Sequence, residues 1–219
     1  MNLLDIVGPV MVGPSSSHTA GAVKIGYVSR KLIGCDILSA KILFHGSFAA
    51  TGKGHGTDRA IVAGLMGMSV DDIRIPNSLD EAKKVGMNIE FGSVDLGDFH
   101  PNSVKIQLIG ANGSRLEMVA CSIGGGRIEV TEINGTKVSF SGDCATLIVH
   151  NQDKPGLVTE VTSMLAEHKV NIATMQLYRS GRNGSAVMVI ECDQEVSQRS
   201  IDWLEQQDGI IDVTYLSME

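Results

Sequence analysis

From residue 145 onward the hydrophobic pattern runs strand, helix, strand, strand, helix, strand, and no other ordering in the chain constrains its fold as tightly. Ala145 to His150 is a short apolar run of the buried-strand type. Asn151 to Gly156 breaks it, with Pro155 placed where a helix can begin. Val158, Val161, Leu165 and Ala166 then recur at helical spacing over Val158 to Glu167. Val170 to Arg179 and Ser185 to Cys192 read as strands on either side of a loop at Ser180 to Gly184. Val196 to Gln206 reads as a helix and Ile210 to Tyr215 as a last strand. The order βαββαβ is the split, ferredoxin-like unit, and it is complete within residues 145–219. Ser141-Gly142-Asp143 marks the junction with a first domain over residues 1–141.

The first domain has another pattern. Ala22, Val23, Ile25, Gly26, Val28, Leu32 and Ile33 predict a helix over residues 20–33, stopped by Gly34. A strand follows at Ala40 to His45, then a glycine-rich stretch, then a helix from Arg59 to Met66. Ser78-Leu79-Asp80-Glu81 opens a further short helix with a capping pattern, and Asn88 to Phe91 is extended. Alternation over Val104 to Leu108, Arg115 to Ser122, Arg127 to Ile133 and Lys137 to Phe140, with Asn112-Gly113 and Asn134-Gly135 turns, predicts antiparallel hairpins. The fold class is therefore α+β: a helix and mostly antiparallel sheet domain, followed by the ferredoxin-like one.

Three polar stretches interrupt this framework. The first is Gly13-Pro14-Ser15-Ser16-Ser17-His18-Thr19, at the start of the first helix. Its hydroxyls can cap that helix, and the helix N-terminus presents free N–H groups that suit a carboxylate. His18 adds a group that moves protons near neutral pH. A serine-rich cap with a stray histidine explains the same residues. The second stretch, Gly46 to Asp58, holds Lys53, His55, Thr57 and Asp58 among four glycines, and it reads as a glycine-rich loop whose Thr57 and Asp58 cap the next helix. The phosphate-loop pattern G-x-x-x-x-G-K-[ST] is absent, because Gly54 follows Lys53. The third is Phe99-His100-Pro101-Asn102, which alone is a turn before a strand.

The net charge of −7 argues against nucleic acid or an anionic membrane as the main partner. No run of about 18 apolar residues is present to span a bilayer. Met1 to Asp5 lacks the basic region of a secretion signal, so a cytoplasmic location is expected. Cys35, Cys121, Cys144 and Cys192 are far apart and have no metal-ligand spacing, so four structural thiols and no metal site in this chain are expected.

Two resemblances follow from these residues. Asp153-Lys154-Pro155-Gly156-Leu157-Val158 with Val170-Asn171-Ile172-Ala173 resembles an ACT domain, a sensor module often tuned to amino acids. This implies Asp153, Pro155, Gly156, Asn171 and Ile172 as regulatory residues and a homodimer through that domain. The three polar stretches, in their order, resemble the iron–sulfur-dependent L-serine dehydratases, and specifically the beta chain of the two-subunit form. The front domain is similar to that family's allosteric-substrate-binding-like domain, seen also in some phosphoglycerate dehydrogenases. The resemblance implies conversion of L-serine to pyruvate and ammonia with a 4Fe-4S cluster as Lewis acid and without pyridoxal phosphate. The family's cluster cysteines lie in the other domain, so the ligands are expected on a partner alpha chain. On this reading His55 is the base or proton shuttle, with His18 next to it in rank. Ser15, Ser16, Ser17, Thr19, Asn102 and His100 position the substrate, and Lys53 holds a carboxylate. The competing reading is a stand-alone amino-acid-sensing regulatory protein with no reaction of its own.

Overall fold

The computed structural model of the chain describes residues 9–179, 181 and 184–217. Residues 1–8 and most of the loop at 180–184 lie outside the described residues. The chain forms two compact units, Met1–Gly135 and Thr136–Glu219. The junction expected at residues 141–143 lies one strand further along.

In the first unit a π-helical turn, Ser16–Ala20, runs into helix α1, Gly21–Ile33. The apolar residues expected on α1 are all buried, and Gly34 ends the helix at a left-handed φ of 66°. Strand β1, Ile37–Phe44, starts earlier than its alternation suggested, with an irregularity between Ile37 and Ser39 where it meets β3. The next segment corrects the sequence reading. Gly46 to Asp58 is not a loop: it forms helix α2, Gly46–His55, and the start of α3, Thr57–Leu65. Ser47 to Thr51 tolerates a helix, and the glycines serve its packing. At Gly52 a Cβ would sit 3.2 Å from Thr57 Cβ, and Gly56, at φ +68°, makes the turn into α3. Thr57 and Asp58 do not cap α3, because Gly56 holds the cap position and no side chain bonds there.

After a 3-10 turn at Ile75–Asn77 come α4, Ser78–Lys84, and β2, Asn88–Ser93. Strands β3, Ser103–Gly110, β4, Arg115–Gly124, and β5, Arg127–Ile133, follow. Within this unit the strand order is β2-β1-β3-β4-β5. The β1–β2 pair is parallel and the others are antiparallel, as a mostly antiparallel sheet requires. Ile25, Ile42, Ile61, Leu65, Ile106 and Met118 are fully buried between helices and sheet. Each contributes about 1.5–3 kcal/mol relative to exposure.

The second unit begins with β6, Thr136–Phe140. It continues through β7, Ala145–Gln152, α5, Leu157–Glu167, β8, Ile172–Arg179, β9, Ser185–Cys192, α6, Gln198–Glu205, and β10, Ile210–Leu216. This is the expected βαββαβ order, with a sheet arranged β10-β7-β9-β8. Leu147, Val149, Val161, Leu165, Met188 and Leu204 form its core. No helix of the described residues is long and apolar enough to cross a membrane.

Candidate active site

Of the adjacent serines, Ser15 is the one that caps. Its backbone is extended, and its Oγ accepts from the His18 N–H at 3.1 Å. Ser16 and Ser17 lie within the π-helical turn, a wide turn common at functional sites. The turn is pressed onto the sheet: a Cβ on Gly21 would fall 2.1 Å from Ser122 Oγ. Thr19 is buried, and its hydroxyl donates to the His55 carbonyl at 3.3 Å, which ties this turn to the end of α2.

That tie brings the two histidines together. Their ring centroids are 4.9 Å apart and tilted by 40°. His18 Nε2 lies 3.2 Å from Ser47 Oγ and 3.1 Å from Thr51 Oγ1. Its ring meets the edge of Phe48, which is fully buried, at 5.2 Å. His55 Nδ1 lies 3.2 Å from the Thr51 carbonyl. Burial and then the neighbouring His55 hold His18 below the ordinary imidazole pKa, while a hydrogen bond with the Ser47 main chain works the other way. His18 is therefore neutral at physiological pH and able to accept a proton. As pH falls below about 6.5 the unfolded chain takes up this proton first, so folded-state stability declines from there downward. The melting temperature is expected to fall more steeply between about pH 7 and 5 in the wild type than in His18→Gln, as scanning calorimetry at stepped pH would record.

The third polar stretch braces α2. The Pro101 carbonyl accepts from the N–H groups of Ser47 at 2.7 Å and Phe48 at 3.4 Å, two donors that a helix start leaves unpaired. Only glycine fits at position 46, where φ is +52° and a Cβ would lie 2.6 Å from the Pro101 carbonyl oxygen. Asn102 turns to the sheet: its side chain donates to the Ser122 carbonyl at 3.5 Å, and its own carbonyl accepts from Ser122 N–H at 3.0 Å. His100 Nδ1 accepts from Asn102 N–H at 3.1 Å. The structure thus joins Ser15, His18, Thr19 and His55, while His100 and Asn102 support them through the backbone. Lys53 lines a cavity of about 360 Å³ with Phe44, Phe48, Asp58 and Phe91, and Phe48 is the residue whose ring meets His18.

Ser47, Phe48 and Thr51 were not singled out from the sequence. The signal was present: Ser47, Thr51 and His55 are spaced four apart and share one face once the segment is a helix. Reading the glycines as a loop concealed it.

In the second unit Gly156 has φ +99° and precedes α5 with open space above it. Asp153 accepts from Arg179 Nε at 3.0 Å. Asn171 donates through its side chain to Asp193 and through its main chain to Gln194, both at 2.6 Å. Pro155 is exposed, and half-buried Ile172 packs against the core.

Among the described residues no three His, Cys, Asp or Glu side chains group as a metal site, and none of the four cysteines is in a disulfide. Cys121 and Cys192 are buried, and burial first, then nearby acidic groups, pushes each thiol up to about 11. Cys35 and Cys144 are half-buried. A thiol reagent added to the native chain is expected to titrate Cys35 and Cys144 quickly and the other two only on unfolding. Mass mapping of the labelled peptides checks this.

The fold and site define a two-module protein, with a histidine pair held by glycine-braced helices in one module and a βαββαβ module following it in sequence. The family model "Serine dehydratase beta chain" matches residues 3–90, and the ACT domain model matches residues 145–206. A probable L-serine dehydratase beta chain of Bacillus subtilis is 42% identical over 216 residues, covering 99% of this chain and 98% of that one. The L-serine dehydratase beta chain of Peptoniphilus asaccharolyticus is 38% identical over 195 residues, covering 89% and 88%. A D-3-phosphoglycerate dehydrogenase of Archaeoglobus fulgidus is 24% identical over 200 residues, covering 90% of this chain and 37% of that one. The chain belongs to the family of L-serine dehydratase beta chains, and its second module is an ACT domain.

Proposed function

We propose that this chain is the beta subunit of a two-subunit L-serine dehydratase converting L-serine to pyruvate and ammonia. The observation that carries the reading is the His18–His55 pair, made by two separate sequence stretches within a family of such beta chains. The reaction removes the α-proton and the β-hydroxyl of serine as water. The resulting 2-aminoacrylate tautomerises to an imine, which water hydrolyses to pyruvate and ammonia. The first step needs a base within reach of the α-carbon. His55 supplies it through Nε2, which has no partner among the described residues, and His18 takes or returns the proton beside it. Ser15, Ser16, Ser17 and Thr19 lie on the turn that carries His18, where a serine carboxylate would meet a helix N-terminus.

The thiols of this chain do not fit as ligands of a 4Fe-4S cluster. Two are buried and held protonated, and Cys35 and Cys144 belong to different units. The cluster and its chemistry are assigned in this reading to an alpha chain. The ACT domain serves regulation and homodimer formation, with an amino acid as the effector class.

The test is anaerobic pyruvate formation from L-serine, with this chain alone and co-expressed with its alpha chain. Activity only in the mixture supports the reading. Activity in neither favours the stand-alone sensor, and serine binding without effect on a partner would support that alternative. Activity in this chain alone would place the whole chemistry on its own residues.

A further inference from the structure

The hydrogen bonds around Thr51 assign protons that diffraction at ordinary resolution would not show. Thr51 Oγ1 lies 2.9 Å from the Ser47 carbonyl, one turn back on α2. A carbonyl only accepts, and it lies nearer to Oγ1 than the other two possible acceptors, His18 Nε2 and Ser47 Oγ at 3.5 Å, so the single hydroxyl hydrogen of Thr51 is assigned to it. The same oxygen lies 3.1 Å from His18 Nε2. With its hydrogen placed there, Oγ1 offers only lone pairs in that direction, and the matching arrangement puts the hydrogen on Nε2. Were Nε2 unprotonated, two lone pairs would face each other at that distance. Ser47 Oγ, 3.2 Å from Nε2, accepts from the same N–H as a second, weaker partner. The Thr51 carbonyl makes the opposite assignment on the other ring. It lies 3.2 Å from His55 Nδ1 and only accepts, so Nδ1 carries the hydrogen there.

We infer that Thr51 is a positioning residue that sets opposite tautomers on the two histidines: Nε2–H on His18 through its hydroxyl, and Nδ1–H on His55 through its carbonyl. The basic atoms are then Nδ1 of His18 and Nε2 of His55, since the bonds to Ser47 Oγ and Thr51 run through the other nitrogen of each ring. One residue thus frees a proton acceptor on each ring. The depressed basicity of His18 keeps it in the neutral form in which a tautomer is defined. The consequence for catalysis rests on the serine dehydratase reading, whereas the tautomers rest on the geometry alone.

The experiment is nitrogen NMR of the imidazole rings in the full-length, isotope-labelled chain at about pH 7.5, a unit above the ordinary imidazole value. His18→Gln and His55→Gln assign the signals. The expected result is a protonated, pyrrole-type Nε2 on His18 and a protonated Nδ1 on His55. In Thr51→Val the hydroxyl is lost, Ser47 is free to donate to Nε2, and His18 becomes a mixture of tautomers. His55 is unchanged in that variant because the main-chain carbonyl remains. Thr51→Ser keeps the hydroxyl and restores the single form. Thr51 is exposed on α2, and amide spectra of both variants confirm the fold. A wild-type His18 protonated at Nδ1, or a Thr51→Val spectrum identical to wild type, would overturn the inference. In the assembled two-chain enzyme, Thr51→Val is expected to lower kcat about tenfold or more with KM little changed, and Thr51→Ser to recover it. Wild-type activity in His18→Ala and His55→Ala would defeat the catalytic reading and leave the tautomer result to be judged by the spectra.

Discussion

Replacing His55 by alanine is expected to lower kcat for pyruvate formation in the assembled enzyme by about 10²–10⁴-fold, the range for loss of a general base. The loss should fall on kcat and not on KM, since the proposed role of the ring is to move a proton and not to anchor the serine carboxylate. The variant is expected to fold normally. His55 is half-buried, and the tie from Thr19 is made to its main-chain carbonyl, which alanine retains. The ring's other contacts are the 3.2 Å bond to the Thr51 carbonyl and the face of His18. His18→Ala should be the milder of the two, because the proposed function makes His18 the relay beside His55. Steady-state assays under anaerobic conditions with both variants decide the ranking. Full activity in His55→Ala removes it as the base.

The largest effect on stability is expected at the crossing of α1 and α3. A Cβ on Gly26 would lie 2.1 Å from the Ile61 carbonyl oxygen and 2.9 Å from Leu65 N. A Cβ on Gly64 would lie 2.0 Å from the Val23 carbonyl oxygen and 2.5 Å from Tyr27 N. All four obstacles are backbone atoms, so no side-chain rotation relieves the clash and the helices must separate. Separation would also strain the 3.1 Å bond from Arg30 Nη1 to the Leu65 carbonyl. Gly26→Ala is expected to destabilise the first unit by about 3 kcal/mol, the upper end for overpacking. The denaturation midpoint should fall with an unchanged slope. Because His18 leads into α1 and His55 leads into α3, activity of the assembled enzyme should fall with it. Gly54→Ala provides the contrast. That glycine has open space around it, so alanine is expected to stabilise α2 by up to about 1 kcal/mol.

The two glycines show why sequence alone reached only part of the site. Gly26 reads as a small member of an apolar helix face, and nothing local distinguishes it from alanine. Its partner Gly64 is distant in the chain, and the reason for both is the approach of one backbone to the other. The glycines of α2 misled in the opposite direction. Gly46, Gly52 and Gly56 suggested a loop, whereas they meet Pro101, Thr57 and the left-handed turn before α3. With the loop reading, Ser47 and Thr51 carried no signal.

The sequence by itself determined the βαββαβ module, α1 and its glycine stop, the antiparallel hairpins, and the family membership carried by three polar stretches. These are local properties: side-chain periodicity, turn chemistry and the residues themselves. The tertiary structure alone decided that His18 and His55 lie ring to ring, that Ser15 caps while Asn102 faces the sheet, and that Lys53 lines a cavity with Phe48 and Phe91. The physical reason is that each of these depends on where distant backbone ends up. Helix α2 is held at its start by the Pro101 carbonyl and at its end by Thr19, and only that placement turns its Ser47, Thr51 and His55 face toward His18.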